Sequence, residues 1–205
     1  MAAQDPSGQR PEATIPGPAP GCRFRLDLEL AIRRTGEADL DRLEWFGLYS
    51  EHREIIRAAF ERQRLGEVTM LVADLDGFPV GQVWIDFRRS GEADSASLWA
   101  VRVLPPLHRQ GIGARLMLAA ERLVVARGRR LLTLTVERTN PDARRFYERL
   151  GYRTSGEARD CYSYRTPQGE LRRIPLDQWV MTKRLDPERP PADRPCGAIR
   201  GGGRA

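Results

Sequence analysis

The sequence predicts a mixed α+β fold on three observations. Residues 69–87 read as two short apolar strands around an Asp-Gly turn, the mark of an antiparallel hairpin. Residues 95–150 run strand, helix, strand, helix in immediate succession, which implies a crossover unit with neighbouring parallel strands. Elsewhere, early in the chain, apolar residues recur at helical spacing. The expected architecture is a central mixed, mostly antiparallel twisted sheet flanked by about four helices. A chain of 205 residues with 40% hydrophobic content suits one such domain plus tails.

The elements follow in order. Residues 1–21 are rich in Pro, Gly, Ala and Ser, and 186–205 carry D-P-E-R-P-P-A-D-R-P and a final G-G-G-R-A. Neither end can bury enough apolar area to offset the entropy of ordering it, so both are expected to be disordered tails around a domain at 22–185. Phe24, Leu26, Leu28 and Leu30 alternate with Arg25, Asp27 and Glu29, which predicts a half-buried first strand. Two amphipathic helices are expected at 39–48 and 50–65, then strands at 69–73, 80–87 and 95–103. Ile112, Leu116, Ala120 and Leu123 or Val124 give the next helix one apolar side, ending near Gly128, and 131–136 reads as a buried strand. Asn140-Pro141-Asp142 supplies an N-cap amide, a proline at the first helical position and a first-turn acid, with Gly151 placed as the residue beyond the last turn. That predicts a helix over 141–150. Closing strands are expected at 152–155 and 178–185, with 156–177 a longer connection holding Tyr162, Tyr164 and a turn at Thr166-Pro167-Gln168-Gly169.

The densest stretch is V-L-P-P-L-H-R-Q-G-I-G-A-R-L, from Val103 to Leu116. It joins a strand to a glycine loop that opens directly into a helix, where the first backbone N–H groups lack internal partners and the helix dipole adds partial positive charge. Gly111 and Gly113 let a diphosphate approach the main chain, and Arg109 and Arg115 bring mobile positive charge. A plain strand-to-helix turn is the competing reading. In the later helix Ala143, Phe146, Tyr147 and Leu150 share one face, where a tyrosine is ordinarily a packing residue with a wet hydroxyl.

Together, R-Q-G-I-G-A at 109–114, L-L-T-L-T-V at 131–136 and N-P-D-A-R-R-F-Y-E-R-L-G-Y at 140–152 resemble the GCN5-related N-acetyltransferases. The family's loop reads Gln/Arg-x-x-Gly-x-Gly/Ala and its later helix Asn-x-x-Ala, Phe-Tyr and Gly-Phe/Tyr; His108 departs from it at the first loop position. The resemblance implies a sheet whose strand before the glycine loop splays from the strand after it. It also implies acetyl-coenzyme A as cosubstrate. The pantetheine arm would lie along Val101, Arg102 and Val103, the pyrophosphate on Arg109, Gln110, Gly111, Ile112, Gly113 and Ala114, and Asn140 would serve as cofactor contact, as N-cap, or as both. The backbone N–H near Val103 would polarise the carbonyl, and Tyr147 would be the general acid that protonates the departing thiolate. Family members that acetylate protein N-termini often carry a glutamate at the position of Thr135, so no base is assigned. Glu137, Asp86, Glu92 and Asp94 are either surface charges or acids near the slot, and a water chain or a substrate amine that is already deprotonated would serve in place of a base.

The acceptor is expected to be a primary amine, either a small molecule or a peptide N-terminus, bound by the two early helices and the connection at 156–177. Glu37, Asp39, Asp41 and Glu44 either attract it or complement a helix dipole. Cys22, Cys161 and Cys196 are odd in number and lack C-x-x-C spacing, and the histidines are only His52 and His108. No disulfide framework or metal site is therefore expected. No apolar run is long enough for a membrane span and no signal peptide opens the chain, so a cytoplasmic protein is expected; a homodimer stays open. The net charge of +6 is nearly all arginine, with Arg127, Arg129 and Arg130 the one short cluster, and no nucleic-acid motif accompanies it. A Rossmann dinucleotide site is disfavoured because G-I-G-A-R-L lacks the third glycine. The rival of another class is a non-catalytic acyl-coenzyme A sensor or nucleic-acid-associated adaptor on the same fold.

Overall fold

A computed structural model describes residues 28–88, 93–165 and 169–186. Along the chain run β1 (Leu30–Arg34), α1 (Arg53–Arg64), β2 (Val68–Leu75), β3 (Phe78–Asp86), β4 (Ser95–Val103), α2 (Ile112–Ala126), β5 (Leu131–Glu137), α3 (Pro141–Arg149), β6 (Arg153–Arg165) and β7 (Leu171–Arg184), with four short 3-10 turns between them. One seven-stranded sheet takes the order β1-β2-β3-β4-β5-β7-β6. Only β4 and β5 pair in parallel; every other neighbour is antiparallel.

The hairpin β2–β3 closes through Asp76 and Gly77, both in the left-handed region at φ 49° and 81°, as a two-residue turn with the sheet's own twist requires. Both faces of the sheet centre are covered. Val68, Met70, Val72 and Trp84 face α1 with Leu43, Ile56 and Ala59. Leu71, Ala73, Val83 and Ile85 face the opposite way, onto Leu116, Ala120 and Val124 of α2. Double burial makes these strands continuous apolar runs.

Three regions depart from the sequence expectation. The first strand is Leu30–Arg34, later than the alternation suggested; residues 24–27 lie outside the described residues. Arg33 fixes it, with hydrogen bonds to Asp39 (2.6 and 2.8 Å) and Asp74 (2.8 Å) that draw a charged residue toward the sheet. The helix expected at 39–48 is instead two 3-10 turns, Glu37–Asp39 and Arg42–Glu44, followed by a reversal at Trp45, Phe46 and Gly47 with φ of 43°, 59° and 95°. Buried Trp45, whose Nε1 donates to the Pro79 carbonyl at 2.7 Å, pulls the chain inward and overrides helical periodicity. Finally, most of 156–177 is strand. β5 pairs with β7 only over 178–184, so the outer parts of β6 and β7 form a two-stranded ribbon beyond the sheet. Charged residues on both of its faces hid it from any search for a buried side, and Pro175 is tolerated there because the ribbon has no third strand. Cys22, Glu92, residues 166–168, Cys196 and both expected tails, apart from Asp186, lie outside the described residues; of Tyr162 only the backbone is described.

Candidate active site

The sheet opens where β4 leaves β5. Parallel pairing covers only 95–98 against 131–134. Just beyond, the register Gln82↔Arg102 and Trp84↔Trp99 leaves Ala100 and Val101 opposite Val83 alone, a β-bulge in which Ala100 takes φ 52°. After this kink β4 follows β3, β5 follows β7, and a wedge-shaped gap separates them. The Leu104 N–H donates to the Val80 carbonyl at 2.7 Å. Because successive residues of an antiparallel pair face opposite ways, the polar main-chain groups of Val103 turn away from β3 and toward the gap.

A cavity of about 620 Å³ lies in that gap on the α2–α3 side. Val101, Arg102 and Val103 form one wall, Arg109, Gly111, Ile112, Gly113 and Ala114 the floor, and Ala143, Phe146 and Tyr147 of α3 the other wall. Gly111, at φ 78°, starts α2 with no side chain to cap its first amides. An uncapped helix start facing a cavity is a ready anion site. Neighbouring Arg109 is also left-handed, at φ 64°. A Cβ on Gly113 would meet Phe146 at 3.4 Å and Val103 at 3.7 Å, ordinary contact distances, so packing between the two walls does not itself demand a glycine. His108 donates from Nε2 to the Val103 carbonyl at 2.7 Å, tying the loop to β4. Leu107 and His108 line the wall as well, His108 from the loop position where the sequence departs from the family pattern.

Nine of the eleven predicted site residues thus meet in one cavity. Gln110 and Asn140 are off its wall. Asn140 accepts the Ala143 N–H at 3.0 Å through Oδ1, which establishes its capping role. Tyr147 is 7% exposed, and burial pushes its phenol up to about 12, so it stays protonated across the physiological range.

A second cavity of about 400 Å³ opens on the α1 side. His52, Ile55, Trp84, Leu98, Trp99, Ala100, Thr135, Glu137, Asp160, Cys161, Leu176 and Gln178 line it, and Arg102 belongs to both cavities. These residues come from six separate stretches of chain, so no motif marks them. Trp84 and Trp99 pack edge to face at 4.6 Å, and Arg102 lies 4.1 Å over the Tyr49 ring, which in turn meets His52 at 5.4 Å. Burial, helped by the Arg102 charge, pushes His52 down to about 4, leaving a neutral imidazole that cannot draw a proton from an ammonium.

The acids sort cleanly. Asp39 pairs with Arg33, and Glu44 with Arg53, at 2.5 and 2.8 Å. Burial alone would raise the Asp39 carboxyl, but the Arg33 and Gly36 hydrogen bonds outweigh it and hold it below the usual range. Arg53 does the same for Glu44. Asp86 pairs with Arg62 at 2.9 Å, and Asp94 precedes β4 at the closed end of the sheet. Of these candidates, only Glu137 reaches the second cavity. Among the described residues, no three His, Cys, Asp or Glu side chains group as metal ligands, and no helix is long and apolar enough to cross a membrane.

Comparison with known proteins agrees with this geometry. The model of the acetyltransferase (GNAT) family matches residues 37–152. An uncharacterized N-acetyltransferase of Archaeoglobus fulgidus is 33% identical in an alignment 136 residues long that covers 58% of this chain and 89% of that protein. Among solved structures, the ribosomal-protein-alanine N-acetyltransferase of Brucella melitensis superposes with a TM-score of 0.60 at 22% identity, over 76% of this chain and 99% of that one. The yncA protein of Salmonella typhimurium, solved with its cofactor acetyl-CoA, gives 0.61 at 18% identity over 80% and 99%. At these identities the structures establish a shared fold.

Proposed function

The chain belongs to the GNAT family of N-acetyltransferases, and from that premise we propose that it moves the acetyl group of acetyl-CoA to a primary amine by direct attack, with Tyr147 as general acid. The observation that carries this reading is the pair of cavities on opposite sides of the splayed sheet, sharing Arg102 at the gap. One side suits the cofactor and the other the amine.

When bound, acetyl-CoA supplies the thioester that the amine attacks. The first amides of α2, from Ile112, Gly113 and Ala114, hold the pyrophosphate, with Arg109 nearby. The main chain at 101–103, unpaired on its β5 side, receives the pantetheine as an added strand would be received. The Val103 N–H polarises the acyl oxygen. Tyr147 holds its proton at Oη for the departing sulfur.

On the other side, Trp84, Trp99, Ile55 and Leu176 enclose the apolar part of the acceptor. Glu137 and Asp160 draw in a cationic amine. A small-molecule amine and a peptide N-terminus both fit this description. Tyr147→Phe tests the proton donor: turnover falls about 100-fold while acetyl-CoA affinity, read by calorimetry, stays as in the wild type. Unchanged turnover would make Tyr147 a packing residue.

A further inference from the structure

Behind Tyr147 lies a buried polar cluster that substrate recognition leaves unused. Tyr152, 1% exposed, packs its ring 6.0 Å from that of Tyr147, and its hydroxyl is turned toward the Glu121 carboxylate. Glu121 of α2 is 3% exposed, and its carboxylate accepts a hydrogen bond from Lys183 of β7 at 2.7 Å. The Lys183 ammonium sits 5.5 Å from the centre of the Tyr152 ring, with its side chain 23% exposed. Both Glu121 and Tyr147 act electrostatically on the Tyr152 hydroxyl. The four groups therefore lead from the cofactor cavity, through the core, to solvent.

The choice of cation is informative. Among the described residues, Asp39, Glu44 and Asp86 are the other buried carboxylates, and each is paired with an arginine. Lys183 is the only lysine in the chain, and it serves Glu121. An arginine neutralises a buried carboxylate as well as a lysine does, yet it does not give up a proton in a protein, whereas an ammonium can.

We propose that Lys183, Glu121 and Tyr152 return a proton to Tyr147 after it has protonated the leaving thiolate. This inference rests on Tyr147 being the general acid. The need for a return path follows from the surroundings: Tyr147 is only 7% exposed and lines the cofactor cavity, which a bound ligand would fill. A buried phenol is also a reluctant donor unless its proton is replaced. In the transfer, the Tyr147 O–H bond breaks as an S–H bond forms. The phenolate oxygen then takes the Tyr152 proton, Tyr152 takes one from the Glu121 carboxyl as that group takes one from the Lys183 ammonium, and the resulting amine is reprotonated by water. No electrons change hands and one solvent proton is consumed. Tyr152, Glu121 and Lys183 are positioning residues acting through Tyr147.

The test uses full-length protein saturated with coenzyme A and labelled with ¹³C at tyrosine Cζ, so that hydroxyl H/D exchange of Tyr147 is read directly by NMR. Lys183→Arg keeps the ion pair and Tyr152→Phe keeps the packing. Exchange at Tyr147 and steady-state turnover are each expected to slow about tenfold or more in both variants, with acetyl-CoA affinity unchanged. A purely structural cluster would leave exchange at the wild-type rate in Lys183→Arg, and that result in both variants overturns the proposal. If Lys183→Arg fails to fold, Tyr152→Phe alone decides it. Tyr147→Phe separates the two readings. Full turnover in that variant removes the general acid itself, whereas slow Tyr147→Phe beside wild-type Tyr152→Phe and Lys183→Arg removes only the return path.

Discussion

The two cavities that meet at Arg102 are built in opposite ways. The side proposed for the cofactor offers main chain: a helix start with no cap, two glycines and a strand edge freed by a bulge at Ala100. The side proposed for the acceptor is lined by side chains gathered from six stretches, among them Trp84 from β3, Trp99 from β4, Glu137 from β5 and Leu176 from β7. Backbone recognition needs consecutive residues of defined conformation, and so it leaves a readable motif. Side-chain recognition needs only that the fold bring residues together, and it leaves none. This is why the shared chemistry is visible in such a chain while the identity of the acceptor is set elsewhere.

Substitutions on the two sides should therefore separate. The largest loss is expected at the junction, where Tyr147→Phe lowers turnover about 100-fold without touching cofactor affinity. Next comes Gly113→Asp. Its Cβ meets only ordinary contacts and its carboxylate favours the α2 N-terminus, so the fold keeps its stability. The same carboxylate repels the pyrophosphate, and acetyl-CoA binding measured by calorimetry should weaken by about 2 kcal/mol, roughly 30-fold. Unweakened binding would move the phosphate site away from this helix. On the acceptor side, exposed Cys161 lines the second cavity. In a Cys22→Ser, Cys196→Ser background, alkylation of Cys161 by a bulky maleimide should cut turnover across a panel of amines about tenfold and leave acetyl-CoA binding intact. Loss of cofactor binding instead would mean that the two cavities are not separate in function. The smallest effect is Asn140→Ala, which removes the cap on Ala143 and should cost about 1 kcal/mol of stability in denaturant unfolding. A parallel loss of cofactor affinity would return Asn140 to the binding site.

Legibility in the fold followed the same division. The bounds of β4 agree with its apolar pattern, and α2, β5 and α3 begin at the residues that their glycine, apolar and Asn-Pro signals indicate. These elements are specified locally. What escaped was specified at a distance. Trp45 and its bond to Pro79 break the helical pattern at 39–48, Arg33 and its two aspartates hold β1, and the ribbon of β6 and β7 is held by cross-strand hydrogen bonds without a buried face. The acids before α1 illustrate the point within the site. Asp39 and Glu44 looked available to a cationic substrate, but their arginine partners, one six and the other nine residues away, already occupy them. Glu137 and Asp160, which no motif singles out, are the acids that reach the cavity.

The most direct measurement is the change in backbone amide shifts when coenzyme A is added to ¹⁵N-labelled protein. The largest changes are expected at Ile112, Gly113 and Ala114, followed by Val101 and Val103, with the ribbon and His52 nearly still. Shifts centred on the second cavity, or none at all at the start of α2, would contradict the placement of the cofactor on which the proposed chemistry depends.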